Sequence, residues 1–221
     1  MKSLFFSGDH EQGLLEGSRQ ARLAISRGQV AVIPTDTNFS LVADPFDPGA
    51  LDALRNAKGM SEKAPLSVFV PDFETLAALV ATVTKDVRAL IEHFWPGPLT
   101  LIMATGDSIA WNLGQTSGTV ALRMPKNNIA LNLLRETGPL AQSGACKTGA
   151  KYPKSEATLN KTFNGAASVI VGAGMEKPAY QPSTVVDVTR LSAPKNKFKL
   201  VREGIISRKT MSSIIGHERF A

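Results

Sequence analysis

Apolar runs of a few residues recur through this chain, and stretches with helical spacing lie between most of them. The runs are VAVI (30–33), PLSVFV (65–70), PLTLIM (98–103), TVALRM (119–124), SVIVGAG (168–174), STVVDV (183–188) and FKLVRE (198–203). Each is too short for a helix and rich enough in aliphatic residues to read as a strand. Residues 9–27 set Leu14, Leu15, Ala21, Leu23 and Ala24 along one helical stripe that ends at Gly28. Pro48 opens a second helix, with Leu51, Leu54 and Ala57 on one face. Asp72 caps a helix running to Val80, Thr84 caps another running to Phe94, and residues 128–136 and 209–216 supply two more. Such alternation, with mostly short connections, defines an α/β fold on a twisted, open, partly mixed sheet with helices around it. With 221 residues, 43% of them hydrophobic, and no repeat or linker, one domain over residues 1–221 is expected. Residues 104–118, rich in Gly, Thr and Ser, are the expected mobile loop.

Several function classes drop out on composition. No apolar run approaches the roughly 20 residues that a membrane span needs. The N-terminus, MKSLFFSGDHEQG, is too short and too polar for a signal peptide. One cysteine, Cys146, excludes an internal disulfide, and a cytoplasmic location is expected. The three histidines, His10, His93 and His217, lie far apart with no partners at metal-ligand spacing, so no metal site is expected. There is no phosphate-binding G-x-x-x-x-G-K-[ST] loop and no G-x-S-x-G elbow. GAGMEK at Gly172 reads as a tight turn, and Cys146 as a small residue in a turn beside Lys147. The net charge of +6 suits an anionic ligand, a nucleotide or RNA, without demanding one. Lys147, Lys151 and Lys154, then Lys195, Lys197 and Lys199, cluster in polar stretches that read as solvated loops.

One local pattern stands out. After the strand 30–33, Pro34 stops the ladder, and Thr35, Asp36, Thr37 and Asn38 follow before Phe39, Leu41 and Val42 resume the apolar pattern. Hydroxyls and a carboxylate at a strand end make either a simple turn or the rim of a polar binding site, where backbone groups become free. A second oddity is Arg123, an always-charged side chain between Leu122 and Met124, which needs a counterion or a ligand carboxylate. Asp36 and Asp187 are the protein carboxylates considered for it.

IPTDT (33–37), AKGMSEKAPLSVFV (57–70), FWPGPLTLIM (94–103), TVALRMP (119–125), GPLAQSGACKTG (138–149) and STVVDVT (183–189) occur in this order. Together they resemble the YrdC-like family of L-threonylcarbamoyladenylate synthases, from about residue 10 to about residue 206. The resemblance implies a sheet folded around a wide, basic cavity. It implies synthesis of threonylcarbamoyl-AMP and pyrophosphate from L-threonine, bicarbonate and ATP, with Mg²⁺ accompanying the ATP. A partner complex then transfers the threonylcarbamoyl group to an adenosine of tRNA. By match to the family's motifs, Thr37, Arg123 and Ser183 are expected to bind the amino acid, and Thr119 and Arg202 the ATP. Lys58, the first basic residue of the K-x-R motif, is expected in the catalytic centre.

Departures from the family pattern fall mainly on ATP-binding positions. K-x-R is here Lys58-Gly59-Met60, S-x-N is Gly144-Ala145-Cys146, an asparagine is Ala64 and a histidine is Phe69. The tyrosine and glycine after the first threonine pair are Phe39 and Ser40. Three readings fit: a synthase with substitute contacts from Lys63, Lys147 or Lys151, a paralogue with different carbamoyl- or acyl-adenylate chemistry, or a cavity kept only for binding. The alternative from a different class is a non-catalytic protein binding double-stranded RNA or a nucleotide on the same fold. Arg123→Lys and Arg123→Ala are both expected to keep the fold and lose amino-acid binding.

Overall fold

The computed structural model describes residues 2–107, 109–174, 178–189 and 197–220. Its strands are β1 (Leu4–Phe6), β2 (Ala31–Ile33), β3 (Ser40–Ala43), β4 (Ser67–Phe69), β5 (Leu99–Ala104), β6 (Thr119–Arg123), β7 (Leu140–Gly144), β8 (Val169–Val171), β9 (Thr184–Asp187) and β10 (Lys199–Arg202). The helices are α1 (Glu11–Ile25), α2 (Pro48–Lys58), α3 (Phe73–Leu79), α4 (Lys85–Phe94), α5 (Asn128–Thr137), α6 (Glu156–Phe163) and α7 (Arg208–Ile215). All the strands join one mixed sheet in the order β1-β8-β2-β3-β7-β4-β6-β5-β9-β10. The α/β fold with an open mixed sheet is as the alternation implies.

Helix ends follow local chemistry. Asp72 accepts from the Thr75 amide at 2.7 Å and Thr84 from the Val87 amide at 3.4 Å, as expected of caps. Asp47 caps α2 through the amides of Gly49 and Ala50, ahead of Pro48 at the first helical position. A cap of this kind contributes about 1 kcal/mol.

The two faces of the sheet have different fates. Leu41, Val68, Leu99, Leu101, Val120, Leu122, Ala141 and Val186 point into the larger core, under helices that include α2, α4 and α6. Alternate residues point the other way. There α1 and α5 cover only part of the sheet, burying Ile33, Val42, Phe69, Val169 and Val171 in a smaller core. Beyond those helices the same face stays open, and that opening is the candidate site.

Four elements were not anticipated: β1, β3, β7 and α6. Strand β7, LAQSG, carries too many small and polar residues to read as a strand, and the neighbouring β3 and β4 supply its pairing. In the 104–118 stretch, Ser108 lies outside the described residues. The second half is tied down rather than free: Leu113 is 2% exposed in the larger core, and its carbonyl accepts from the Leu66 amide at 2.9 Å. A long-range contact of that kind leaves no local signature. Met175, Glu176, Lys177 and Lys195, named in the turn and lysine readings, also lie outside the described residues.

Gly97, in the FWPGPLT stretch, positions the site. Its carbonyl accepts from Arg123 Nε at 3.0 Å, and a Cβ on it would run into the Phe94 carbonyl. Gly97→Ala is therefore expected to cost about 2 kcal/mol, read as a fall in the denaturation midpoint. An unchanged midpoint would mean that the turn relaxes freely.

Candidate active site

The polar cluster after β2 divides its labour. Thr35, fully buried, makes the turn: its hydroxyl accepts from the amides of Thr37 and Asn38 at 3.2 Å each and donates to the Asn38 carbonyl at 2.5 Å. That turn projects Thr37 into the cleft and Asp36 away from it, toward Arg123. The loop is held from outside by the Ala179 and Tyr180 amides, which donate to the carbonyls of Asp36 and Thr37.

Arg123 is buried, and every arm of it is engaged. Nε donates to Gly97 O, Nη1 to Thr37 Oγ1 at 2.7 Å, and Nη2 to Asp36 Oδ1 at 2.5 Å. Burial pulls the guanidinium pKa down and Asp36 pulls it back up. Of Asp36 and Asp187, Asp36 is the counterion, so the charge of the arginine is balanced before any ligand arrives, while two of its five N–H groups stay uncommitted among the described residues. With this pair in place, removal of Arg123 is expected to cost the fold stability, against the expectation from sequence that the fold is kept. The guanidinium also lies 5.8 Å from the ring centroid of Phe69, which stands where the resemblance expects histidine.

Lys58 closes the last turn of α2 and reaches over to β7. Its Nζ donates to the carbonyls of Gly144 at 2.6 Å and Cys146 at 3.2 Å and lies 3.5 Å from the Cys146 thiol. Across the cleft, Arg202 on β10 donates through Nε to the Ser183 carbonyl and through Nη2 to its hydroxyl, both at 3.1 Å. The Ser183 hydroxyl also sits 2.9 Å from that of Thr100 on β5.

Thr37, Lys58, Arg123, Ser183 and Arg202 thus line one cleft of about 430 Å³. They come from positions that the chain spreads widely, because β3, β7, β4, β6, β5, β9 and β10 are consecutive neighbours in the sheet. Thr119 does not join them. It starts β6, two pleats from Arg123, and its hydroxyl donates to Thr116 O at 2.6 Å. Nor do the suggested substitute lysines line the cleft. Lys147 Nζ donates to the Ala57 carbonyl and lies over the Phe163 ring, and Lys63 and Lys151 are exposed. Met60 packs against the larger core, with its sulfur accepting from the Ser143 hydroxyl at 3.7 Å.

Ser67, Thr100, Gln142 and Tyr152, which no motif singles out, also line the cleft. A signal existed for the first three: each is a small or polar residue inside a strand and alternates with core residues. Tyr152 lies in a connection and carried no such signal.

Among the described residues the lining includes three cations and no carboxylate; Asp36 stands behind Arg123. Low-dielectric walls of one charge sign concentrate anions. Among the described residues, no three His, Cys, Asp or Glu side chains lie together where they could hold a metal ion. Among them, too, no helix is long and apolar enough to cross a membrane.

A mixed sheet thus carries on its open face a cleft whose described lining is basic and free of carboxylates, an arrangement suited to small anions. The Sua5/YciO/YrdC family model, described as "Telomere recombination", matches residues 23–204, and the chain belongs to that family. It is 36% identical over 218 residues to a Mycobacterium tuberculosis protein named "Putative threonylcarbamoyl-AMP synthase", covering 98% of this chain and 96% of that one. It is 30% identical to the "Threonylcarbamoyl-AMP synthase" of Pyrococcus abyssi, covering 88% of this chain but only 56% of the longer relative. Among solved structures, P. abyssi Sua5 complexed with L-threonine superposes with a TM-score of 0.85 at 28% identity, covering 100% of this chain and 63% of that one. Escherichia coli YciO shares the fold, with a TM-score of 0.78 at 21% identity over 96% of this chain and 100% of that one.

Proposed function

We propose that this chain is a threonylcarbamoyl-AMP synthase, a nucleotidyltransferase that joins L-threonine, bicarbonate and ATP. The observation that carries the reading is the cleft: among the described residues, three cations, hydroxyls and no carboxylate, in a volume of about 430 Å³. That volume is within the range of small-ligand sites and too small for a nucleic-acid duplex, so the double-stranded RNA alternative finds no support in it.

In the chemistry this reading requires, the threonine amine takes up bicarbonate with loss of water, giving a carbamate. A carbamate oxygen attacks the α-phosphorus of ATP, the bond to the β-phosphate oxygen breaks, and pyrophosphate leaves. Both reactants of this step, the carbamate and ATP, and its transition state are anionic, so positioning and charge neutralisation carry it, with no general base required. In this scheme Thr37, Arg123 and Ser183 hold the amino-acid end. Arg123 keeps N–H donors beyond those given to Gly97, Thr37 and Asp36, and a planar fork suits a carboxylate. Lys58 and Arg202, neither in an ion pair with a carboxylate among the described residues, neutralise phosphate oxygens. Thr119 touches only a nucleotide that extends along β6 past the cleft. Mg²⁺ would come bound to the ATP phosphates and supply charge neutralisation there, since the described lining offers no carboxylate to hold it. Transfer of the product to tRNA would fall to a partner complex, in the ATP-containing, reducing environment of the cytoplasm.

The test is incubation of the pure protein with ATP, Mg²⁺, bicarbonate and L-threonine, with assay of pyrophosphate and of the adenylate. Threonine-dependent formation of both is expected; pyrophosphate without threonine, or neither product, overturns the reading. ATP binding is expected to be weak, since Met60 offers no charge to phosphate. Met60→Arg is expected to tighten it about tenfold, the value of roughly one charge-assisted hydrogen bond. Calorimetry that finds tight ATP binding by the unaltered chain, and no gain in the variant, would refute this.

A further inference from the structure

We propose that the Tyr152 hydroxyl is a phosphate contact of the nucleotide, seated in space that only a glycine at position 144 leaves open. This deepens the synthase reading and rests on it for the identity of the ligand.

Gly144 ends β7 on the cleft face. A Cβ built on it would run into the Tyr152 hydroxyl and stand 2.7 Å and 2.9 Å from ring atoms Cε1 and Cζ. Real Cβ atoms do not approach other heavy atoms so closely, so any side chain at 144 and the phenol at its present place exclude one another. The tyrosine, brought in by the connection between β7 and α6, thus puts a hydroxyl where a strand residue would otherwise put its own. Directly across the β3–β7 ladder from Gly144 stands Ser40, also part of the lining.

The surroundings of the phenol indicate its ligand. Lys58 Nζ is held by the Gly144 and Cys146 carbonyls, immediately beside the seat. Tyr152 is 36% exposed; its buried part, and then the neighbouring Cys146 with its hydrogen bond to the phenol, push the phenol pKa up more strongly than Arg202 on the opposite wall draws it down. The hydroxyl is a neutral donor, and a ligand oxygen would take the place that Cys146 now has as its partner. A neutral O–H donor set among cations, in a described lining with no carboxylate, fits a phosphate oxygen better than an ammonium or a neutral amide. The Thr37–Arg123 end has its own donors for a carboxylate, so Tyr152 is expected to discriminate by ligand.

The experiment measures affinity for ATP and for L-threonine separately, by calorimetry, on the full chain and on Tyr152→Phe, Gly144→Ala, Tyr152→Ala and Gly144→Ser/Tyr152→Ala. Tyr152→Phe keeps the ring and is expected to weaken ATP binding about tenfold while leaving L-threonine binding unchanged. Gly144→Ala is expected to weaken ATP binding similarly with the tyrosine intact, because the ring is evicted. Gly144→Ser/Tyr152→Ala is expected to recover ATP affinity relative to Tyr152→Ala, since a strand hydroxyl takes the vacated place. Tyr152→Phe binding ATP like the unaltered chain, or losing both ligands together, would overturn the proposal. If the unaltered chain makes no threonylcarbamoyl-AMP yet binds ATP in a Tyr152-dependent way, the synthase reading fails and this one stands. If it makes the product and Tyr152→Phe changes nothing, only this one fails.

Discussion

Arg123→Ala is expected to lower the melting temperature by roughly 10 °C and to abolish L-threonine binding at the same time. The stability loss follows from what stays behind. Asp36 is 16% exposed in its side chain, and its only ion-pair partner among the described residues is Arg123. Removing one member of a buried pair strands the other charge and costs about 3–5 kcal/mol, and at this chain length each kcal/mol moves the midpoint by about 2–4 °C. The Gly97 carbonyl and the Thr37 hydroxyl lose their donor as well. Arg123→Lys restores charge but not the fork, and should recover part of the stability with little of the binding. A double-mutant cycle with Asp36→Ala checks the cause: the double variant should be distinctly more stable than the sum of the single losses predicts. If Arg123→Ala melts like the unaltered chain and loses only threonine, the ligand rather than Asp36 is the counterion that matters.

The second large effect is expected at Lys58. Lys58→Ala should reduce kcat/KM for pyrophosphate release by about 10²-fold or more, the scale seen when one preorganised donor to a developing charge is removed. Its cost to the fold should be far smaller, about 1 kcal/mol for the Cys146 carbonyl left without its donor at a partly exposed site, since the Gly144 carbonyl keeps the Cys146 amide. Lys58→Arg should recover little, because the short reach to two carbonyls suits a compact ammonium and not a planar fork. Activity within about threefold of the unaltered chain in Lys58→Ala would remove the lysine from the chemistry and leave Arg202 as the cation that matters.

Much of the architecture could be read from local pattern. The run VAVI, the Asp72 and Thr84 caps, Pro48 at the first helical position and the alternation of strand and helix each rest on contacts within a few residues, and those contacts survive in the fold. The family motifs likewise pointed to Thr37, Lys58, Arg123, Ser183 and Arg202 as members of one site. What local pattern does not hold is which groups satisfy one another across the sheet. Arg123 was legible as a buried charge in need of a partner, but the choice of Asp36 depends on where β2 and β6 lie relative to one another. Strand β7 exists because β3 and β4 pair with it, not because LAQSG favours a strand. Leu113, in a stretch that reads as loop, reaches the core through contacts far away in sequence. The exclusion between Gly144 and Tyr152 joins two residues that neither spacing nor motif connects. Sequence alone determined most of the elements and pointed to most residues of the candidate cleft, because periodicity, capping and motif are local. Only the tertiary structure decided their pairing, because counterions, ladder partners and shared volume belong to residues that meet after folding.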